Sequence, residues 1–200
     1  MEEIIMKKVV SLLIIVAICT SLFITLTSCA SKHPIDEFKE KMERVDSCQI
    51  DVTMSDVPLF GTITMAMKLD GNIQYTPAML FGEEEYIETV GDVEYIYTKD
   101  ESGKWTKEIN EVEEDDSDIY SDELMEKLFN PENYDKVEGE ENTYKQKSDV
   151  SFDEYEDVKI TITEDSCTIE MKATSEGIVF GLKMVIHKLG EIELTLPEVG

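Results

Sequence analysis

Hydrophobic positions follow three rhythms in succession along this chain. The first is an unbroken apolar block from Val9 to Leu26. The second is helical: Ile35, Phe38, Met42 and Val45 recur at helical spacing with Asp36, Glu37, Lys39, Glu40, Lys41 and Glu43 between them, and Pro34 stands in the first turn, where a missing N–H costs nothing. From Ser47 the period becomes two. Cys48, Ile50, Val52 and Met54 alternate with polar residues, as do Ile63, Met65, Met67 and Leu69, which predicts strands of an antiparallel sheet with one apolar face. Asp70-Gly71 is a hairpin signal into Ile73-Gln74-Tyr75, and Pro77 marks an edge or strand end. Tyr86–Val90 and Val93–Thr98 flank Gly91-Asp92 as a second hairpin, and Lys99–Gly103 turns into a strand around Trp105.

Glu108–Asp118 interrupts this meander with a run of carboxylates and predicts a solvated loop. Ser121-Asp122-Glu123 then caps a short helix through Leu124, Met125, Leu128 and Phe129 that ends at Asn130-Pro131. A second meander follows, with strands expected at Tyr134–Val137, Thr143–Lys147, Val158–Thr163, Cys167–Lys172, Ile178–His187 and Glu191–Leu196. The predicted class is α+β: one antiparallel sheet of about eleven strands with an N-terminal helix and a short central helix. Two helices are too little to cover so wide an apolar face. Either the sheet curls into a half-barrel, or part of the face lines a cavity.

The first apolar block is preceded by Lys7 and Lys8 and followed by small residues, the pattern of an export signal rather than of a structural element. Glu2 and Glu3 fit a basic leader poorly, which favours a start at Met6. A retained membrane helix is the weaker reading, since the block sits at the lower edge of the ~20 apolar residues that span a bilayer. The exit, Leu26-Thr27-Ser28-Cys29, resembles the bacterial lipobox. That resemblance implies cleavage after residue 28 and a diacylglycerol thioether with fatty acylation on Cys29, and so a chain anchored on the outer face of the cell membrane. Residues 1–28 are then signal peptide, 29–34 the acylated tether and 35–200 a single domain. The tether reaches at most about 20 Å at ~3.3–3.6 Å per residue.

Charge sharpens this picture. The chain carries a formal charge of −27, and losing Lys7, Lys8, Glu2 and Glu3 with the leader leaves that value unchanged. Such a body repels phosphate backbones and anionic headgroups alike, which excludes a nucleic-acid binder and leaves the anchoring to the lipid. With 42% hydrophobic residues the chain still fills a core, so it is not a disordered acidic tail.

Candidate chemistry is sparse. The histidines, His33 in the tether and His187 near the last turn, build neither an HExxH motif nor a Ser-His-Asp order, and no GxSxG, CxxC or phosphate-binding glycine loop is present. No catalysis, cofactor or metal is expected, and low-affinity cation capture by the Glu108–Asp118 run is the weakest idea of all. Beyond Cys19 in the leader and Cys29 at the anchor, Cys48 and Cys167 remain. They read either as a disulfide pair or as two thiols packed as small hydrophobes. Met54, Met65, Met67 and Met184 fall on the apolar phase of predicted strands. They fill a core, or, if a cavity exists, Ile63, Met65, Met67, Tyr75 and Met184 line it, with Tyr75, Tyr86, Tyr95 and Tyr97 alternatively forming cross-strand pairs.

The lipobox, the short amphipathic helix, the antiparallel sheet interrupted by a helical insert and the closing segment Gly190-Glu191-Ile192-Glu193-Leu194-Thr195-Leu196-Pro197 together look like the LolA/LolB/LprG–LppX type of bacterial lipoprotein. The Tyr86–Thr98 hairpin followed by a turn and Trp105 is similar to small surface lipoproteins of Firmicutes in that group. The resemblance implies a half-barrel whose concave side, covered by helices, holds acyl chains or another hydrophobic ligand, without catalysis. The rival reading is a sensor or interaction lipoprotein with a filled core that meets an envelope protein through its acidic face.

Overall fold

The computed structural model describes residues 32–78, 83–91, 93–111, 124–152, 155–175 and 177–199. The leader, Cys29 and the acidic residues 112–118 lie outside the described residues.

Helix α1 spans Pro34–Glu43, as its hydrophobic spacing predicts. Pro34 occupies the first turn, and His33 caps it by accepting the Ile35 N–H at Nδ1, 3.3 Å away. The His33 ring lies 4.5 Å from that of Tyr144. Burial there lowers its pKa, which keeps the ring in the neutral form that a cap acceptor needs. Ile35 and Phe38 are the buried face of α1. A second helical stretch, 124–128, stops before Asn130, and Asn130 in turn caps the 3₁₀ turn Pro131–Asn133.

The strands are β1 Ser47–Val57, β2 Gly61–Asp70, β3 Ile73–Thr76, β4 Glu85–Val90, β5 Val93–Lys99, β6 Trp105–Glu111, β7 Tyr134–Lys136, β8 Thr143–Gln146, β9 Tyr155–Ile162, β10 Ser166–Ser175 and β11 Ile178–His187. They form one open sheet of 11 strands, in the order β6-β5-β4-β3-β2-β1-β11-β10-β9-β8-β7. Every neighbouring pair is antiparallel. The predicted meanders are therefore both present, joined at the centre by the first strand and the last.

Register places the apolar positions of five strands in continuous rows. Met67, Ile50, Ile186, Cys167 and Ile162 make one row, and Met65, Val52, Met184, Ile169 and Ile160 the next. Ile35 and Phe38 of α1 and Met125, Leu128 and Phe129 of the second helical stretch close over them in a single buried cluster. The Phe38 and Phe129 rings stack at 6.4 Å. Each aliphatic side chain so buried contributes about 1.5–3 kcal/mol relative to exposure. Two register shifts, at Met54/Val57 against β2 and at Glu170/Lys172 against β9, coincide with Asp56 and Asp157 at φ 61° and 56°. Aspartate tolerates the left-handed region better than most side chains, so these bulges fall where the sequence can accept them.

Two expectations are corrected. Glu191–Leu196 is no strand: residues 191–199 take no ladder partner, because both sides of β1 are already filled by β2 and β11. This tail is instead fastened through single contacts, Gly190 N–H to the Ser47 carbonyl at 2.7 Å, Ile192 N–H to Ser47 Oγ at 3.2 Å and Leu194 N–H to Asp70 Oδ2 at 2.7 Å. Glu108–Glu111 belongs to β6, so the acidic run begins inside a strand. Of the two readings open for Cys48 and Cys167, the structure takes the second: both are free thiols, Cys167 buried and Cys48 partly so. β11 stands between their strands, and two strand spacings of ~4.8 Å exceed the ~4.4–6.8 Å that a bridge allows between Cα atoms.

Candidate functional site

Four of the residues expected to line a cavity sit together in the core: Ile63, Met65, Met67 and Met184 are 6%, 4%, 1% and 4% exposed. Tyr75 does not join them. The Asp70↔Ile73 hairpin pairs Lys68 with Tyr75, and Lys68 faces away from its neighbours Met67 and Leu69. Because side chains alternate strictly, that one pairing sends Tyr75 to the opposite face of the sheet.

The consequence extends across the whole meander β3–β6. The row Lys68, Tyr75, Tyr86, Tyr97, Lys107 and the row Asp70, Ile73, Glu88, Tyr95, Ile109 lie on the outer face. The face continuous with the core carries Gln74, Ile87, Ile96 and Glu108 in one row and Thr76, Glu85, Thr98 and Thr106 in another. The sheet thus exchanges its apolar side between β2 and β3. On β1 and β2 the greasy residues point toward the helices; on β3–β6 the aromatic residues point away from them.

On this outer face the rings form a ridge. Tyr75 and Tyr86 lie 4.7 Å apart at 48°, and Tyr86 meets Trp105 edge-on at 5.4 Å. Lysines stand over ring faces: Lys68 is 5.6 Å from the Tyr75 centroid, Lys99 4.7 Å from that of Trp105, and Lys107 3.7 Å from that of Tyr95 and 5.0 Å from that of Tyr97. Carboxylates complete the rim. Glu84 accepts from Lys99 Nζ and from the Tyr75 hydroxyl at 3.2 Å, and Glu88 accepts from the Tyr97 hydroxyl at 3.0 Å. The hydrogen bond from Lys99 holds the Glu84 carboxyl below its usual pKa, and the Tyr97 hydroxyl beside Lys107 raises that ammonium's. Burial, followed by the nearby Glu84, raises Tyr75. Glu84 and Lys107 therefore stay charged, and Tyr75 neutral, at physiological pH.

Val90 and Ile109 extend the patch at 51% and 69% exposure, so among the described residues neither is covered. Tyr97, by contrast, is 5% exposed beneath the ridge and serves as its floor. Against Lys68, Lys99 and Lys107 stand Asp70, Glu84 and Glu88, with Glu111 at the register position opposite Val93, on a body of charge −27.

The period of two within each strand groups Tyr75 with the methionines, whereas the same period carried across the turn separates them. The two-residue connection Gly71-Asn72 fixes the parity of the hairpin and is the signal that would have found the exchange. Elsewhere, His187 Nε2 meets Asp51 Oδ2 at 2.9 Å on the outer side of the central strands. Among the described residues, no group of three or more His, Cys, Asp or Glu side chains is arranged to hold a metal ion, and no helix is long and apolar enough to cross a membrane. No protein-family model matches the chain, and no curated protein matches it.

Proposed function

We propose that this chain is an exported lipoprotein, anchored through acylated Cys29 at the outer face of the cell membrane, whose folded body binds a partner on the outer face of β3–β6 without catalysis. One observation carries the reading: the apolar side of the sheet is exchanged, so that among the described residues no helix lies over the aromatic face with exposed Val90 and Ile109. Sheet faces rich in large apolar groups are ordinarily buried, and one kept in solvent marks an interaction surface. The core face is taken to curl into a half-barrel around α1 and residues 124–128.

Site-specific photo-crosslinking in cells tests this. A photoreactive residue at Ile109 is expected to give adducts, and one at Thr89, exposed on the other face of the same meander, to give none. Equal labelling at both positions, or none at Ile109, defeats the reading. The anchor is tested by Cys29→Ala, which should leave the leader uncut and the lipid unattached.

A second reading, a hydrophobic ligand held against the core face, is favoured by the concentration there of Met54, Met65, Met67, Met125, Met171 and Met184, unbranched side chains that repack at low cost. Lipid extraction from the purified mature domain followed by mass spectrometry decides it. A reproducible stoichiometric lipid supports it, and none rejects it.

A further inference from the structure

We propose that β6 is a docking edge for a second copy of this chain, whose own β6 pairs with it antiparallel about Ile109 and so continues the sheet from one copy into the other. The inference goes beyond the outer-face reading and stands without it, since it concerns the rim of the sheet and not a face.

The sheet ends at β6, and register shows which backbone groups it leaves open. At the β5–β6 turn the Asp100 N–H donates to the Lys104 carbonyl at 2.8 Å. Bonded rungs alternate along an antiparallel ladder, so Thr106, Glu108 and Asn110 bond to β5. Trp105, Lys107, Ile109 and Glu111 therefore turn their N–H and C=O groups outward, where among the described residues no strand meets them. Ile109, 69% exposed, belongs to this open edge. A row of unpaired donors and acceptors is a template for another strand.

Charge on the edge then selects a register. An antiparallel strand using these groups must set odd residues against odd. For a second β6, three such registers face five or more residues. The one centred on Lys107 sets that lysine against itself, and the one centred on Glu108 sets that glutamate against itself, and like charges directly opposite destabilise a ladder. The third, centred on Ile109, has no such clash. There Ile109 faces Ile109, each Lys107 faces the second copy's Glu111, and each Glu108 faces the second copy's Asn110. Edge charges ordinarily block pairing altogether, whereas the order of these blocks every long register but one. Lys107 lies over the Tyr95 and Tyr97 rings and among the described residues closes no ion pair, so its charge is open to a carboxylate. The two bodies, at −27 each, repel. Contact at the rim sets β1 of each copy five strand spacings of ~4.8 Å from the junction, well beyond the ~8 Å over which salt screens charge.

Cysteine scanning of the full-length chain reads the register directly. Cells expressing Lys107→Cys, Glu108→Cys, Ile109→Cys or Asn110→Cys are oxidised with copper phenanthroline and their chains separated without reductant, the unsubstituted chain giving the background from its native thiols. All four positions are exposed, so the core is left intact. In the proposed pairing the two residues 109 stand ~5.5 Å apart at Cα, within the ~4.4–6.8 Å of a disulfide. The residues 108 and 110 stand ~8 Å from their own copies, and 107 ~14 Å. Ile109→Cys should therefore give at least fivefold more dimer than the other three. A maximum at any other position, an equal yield at all four, or no dimer overturns the proposal. In the Ile109→Cys chain, Lys107→Glu should cut the dimer threefold or more, and adding Glu111→Lys should restore it to within twofold; no drop, or a drop without rescue, also overturns it. Photo-adducts from Ile109 at twice the chain's mass count for this edge alone, and those at other masses for the outer face.

Discussion

Met67 is 1% exposed and packed between Ile50 and the lid of helices, so its environment is that of a core residue. Met67→Ala is expected to cost about 2–5 kcal/mol of stability in urea unfolding, and Met67→Glu more, since it buries a charge with no partner. The thiols give a second residue-level test. Burial pushes Cys48 up to about 11 and Cys167 up to about 12. Both groups are raised in the folded state, so above their unfolded value of 9.0 the unfolded chain has released protons that the folded chain still holds. Stability should therefore be unaffected below that value and fall as pH rises through it toward the folded values, with a slope of about 1.4 kcal/mol per pH unit for each thiol. Replacing Cys167 with Ala should flatten the slope, whatever it does to the plateau. In the folded protein neither thiol should react quickly with a disulfide reagent near neutral pH, and both should do so after unfolding.

At the scale of elements, the meander β3–β6 is the loosest part of the sheet. Apart from Tyr97, its side chains are half-buried or exposed on both faces, whereas β1, β2, β10 and β11 bury alternate residues almost completely. Amide hydrogen exchange should accordingly be faster in β4 and β5 than in β1 and β10, and equal protection in the two halves would contradict this account. The tail offers a sharper lever. Asp70 accepts the Leu194 N–H, so Asp70→Ala should loosen residues 193–199, beyond the Ile192–Ser47 contact, and raise their cleavage by a nonspecific protease, with little loss of global stability.

Most of these elements were legible in the sequence because their signals are local. Alternation marked β1 and β2, Gly71 and Gly91 marked turns, and Asn130-Pro131 marked a stop. What escaped was nonlocal. The pairing of β1 with β11 joins residues over a hundred positions apart and leaves no trace in periodicity. The tail Glu191–Leu196 alternates like a strand, but β1, beside which it starts, already has both edges filled. The face exchange at Tyr75 required counting through a turn.

Over the whole molecule, charge is the dominant long-range term. At −27 the folded body repels itself, and salt screens that repulsion. The melting temperature should rise between about 0.05 and 0.5 M sodium chloride, where screening lengths shrink from above ~10 Å toward a few ångströms. A fall over that range would show that local ion pairs such as Lys172–Asp157 and Lys159–Glu140 outweigh the overall repulsion.

The seam between the first strand and the last has a bearing on how the protein is made. A chain synthesised from its N-terminus delivers β1 early and β11 nearly at the end, so the middle of the sheet stays open while its two wings have already had time to form. Each wing must wait, with one raw edge unzipped, for residues 178–187 to arrive. Truncation just before that segment should therefore leave not a slightly smaller sheet but two severed halves, each prone to stick to whatever strand comes by.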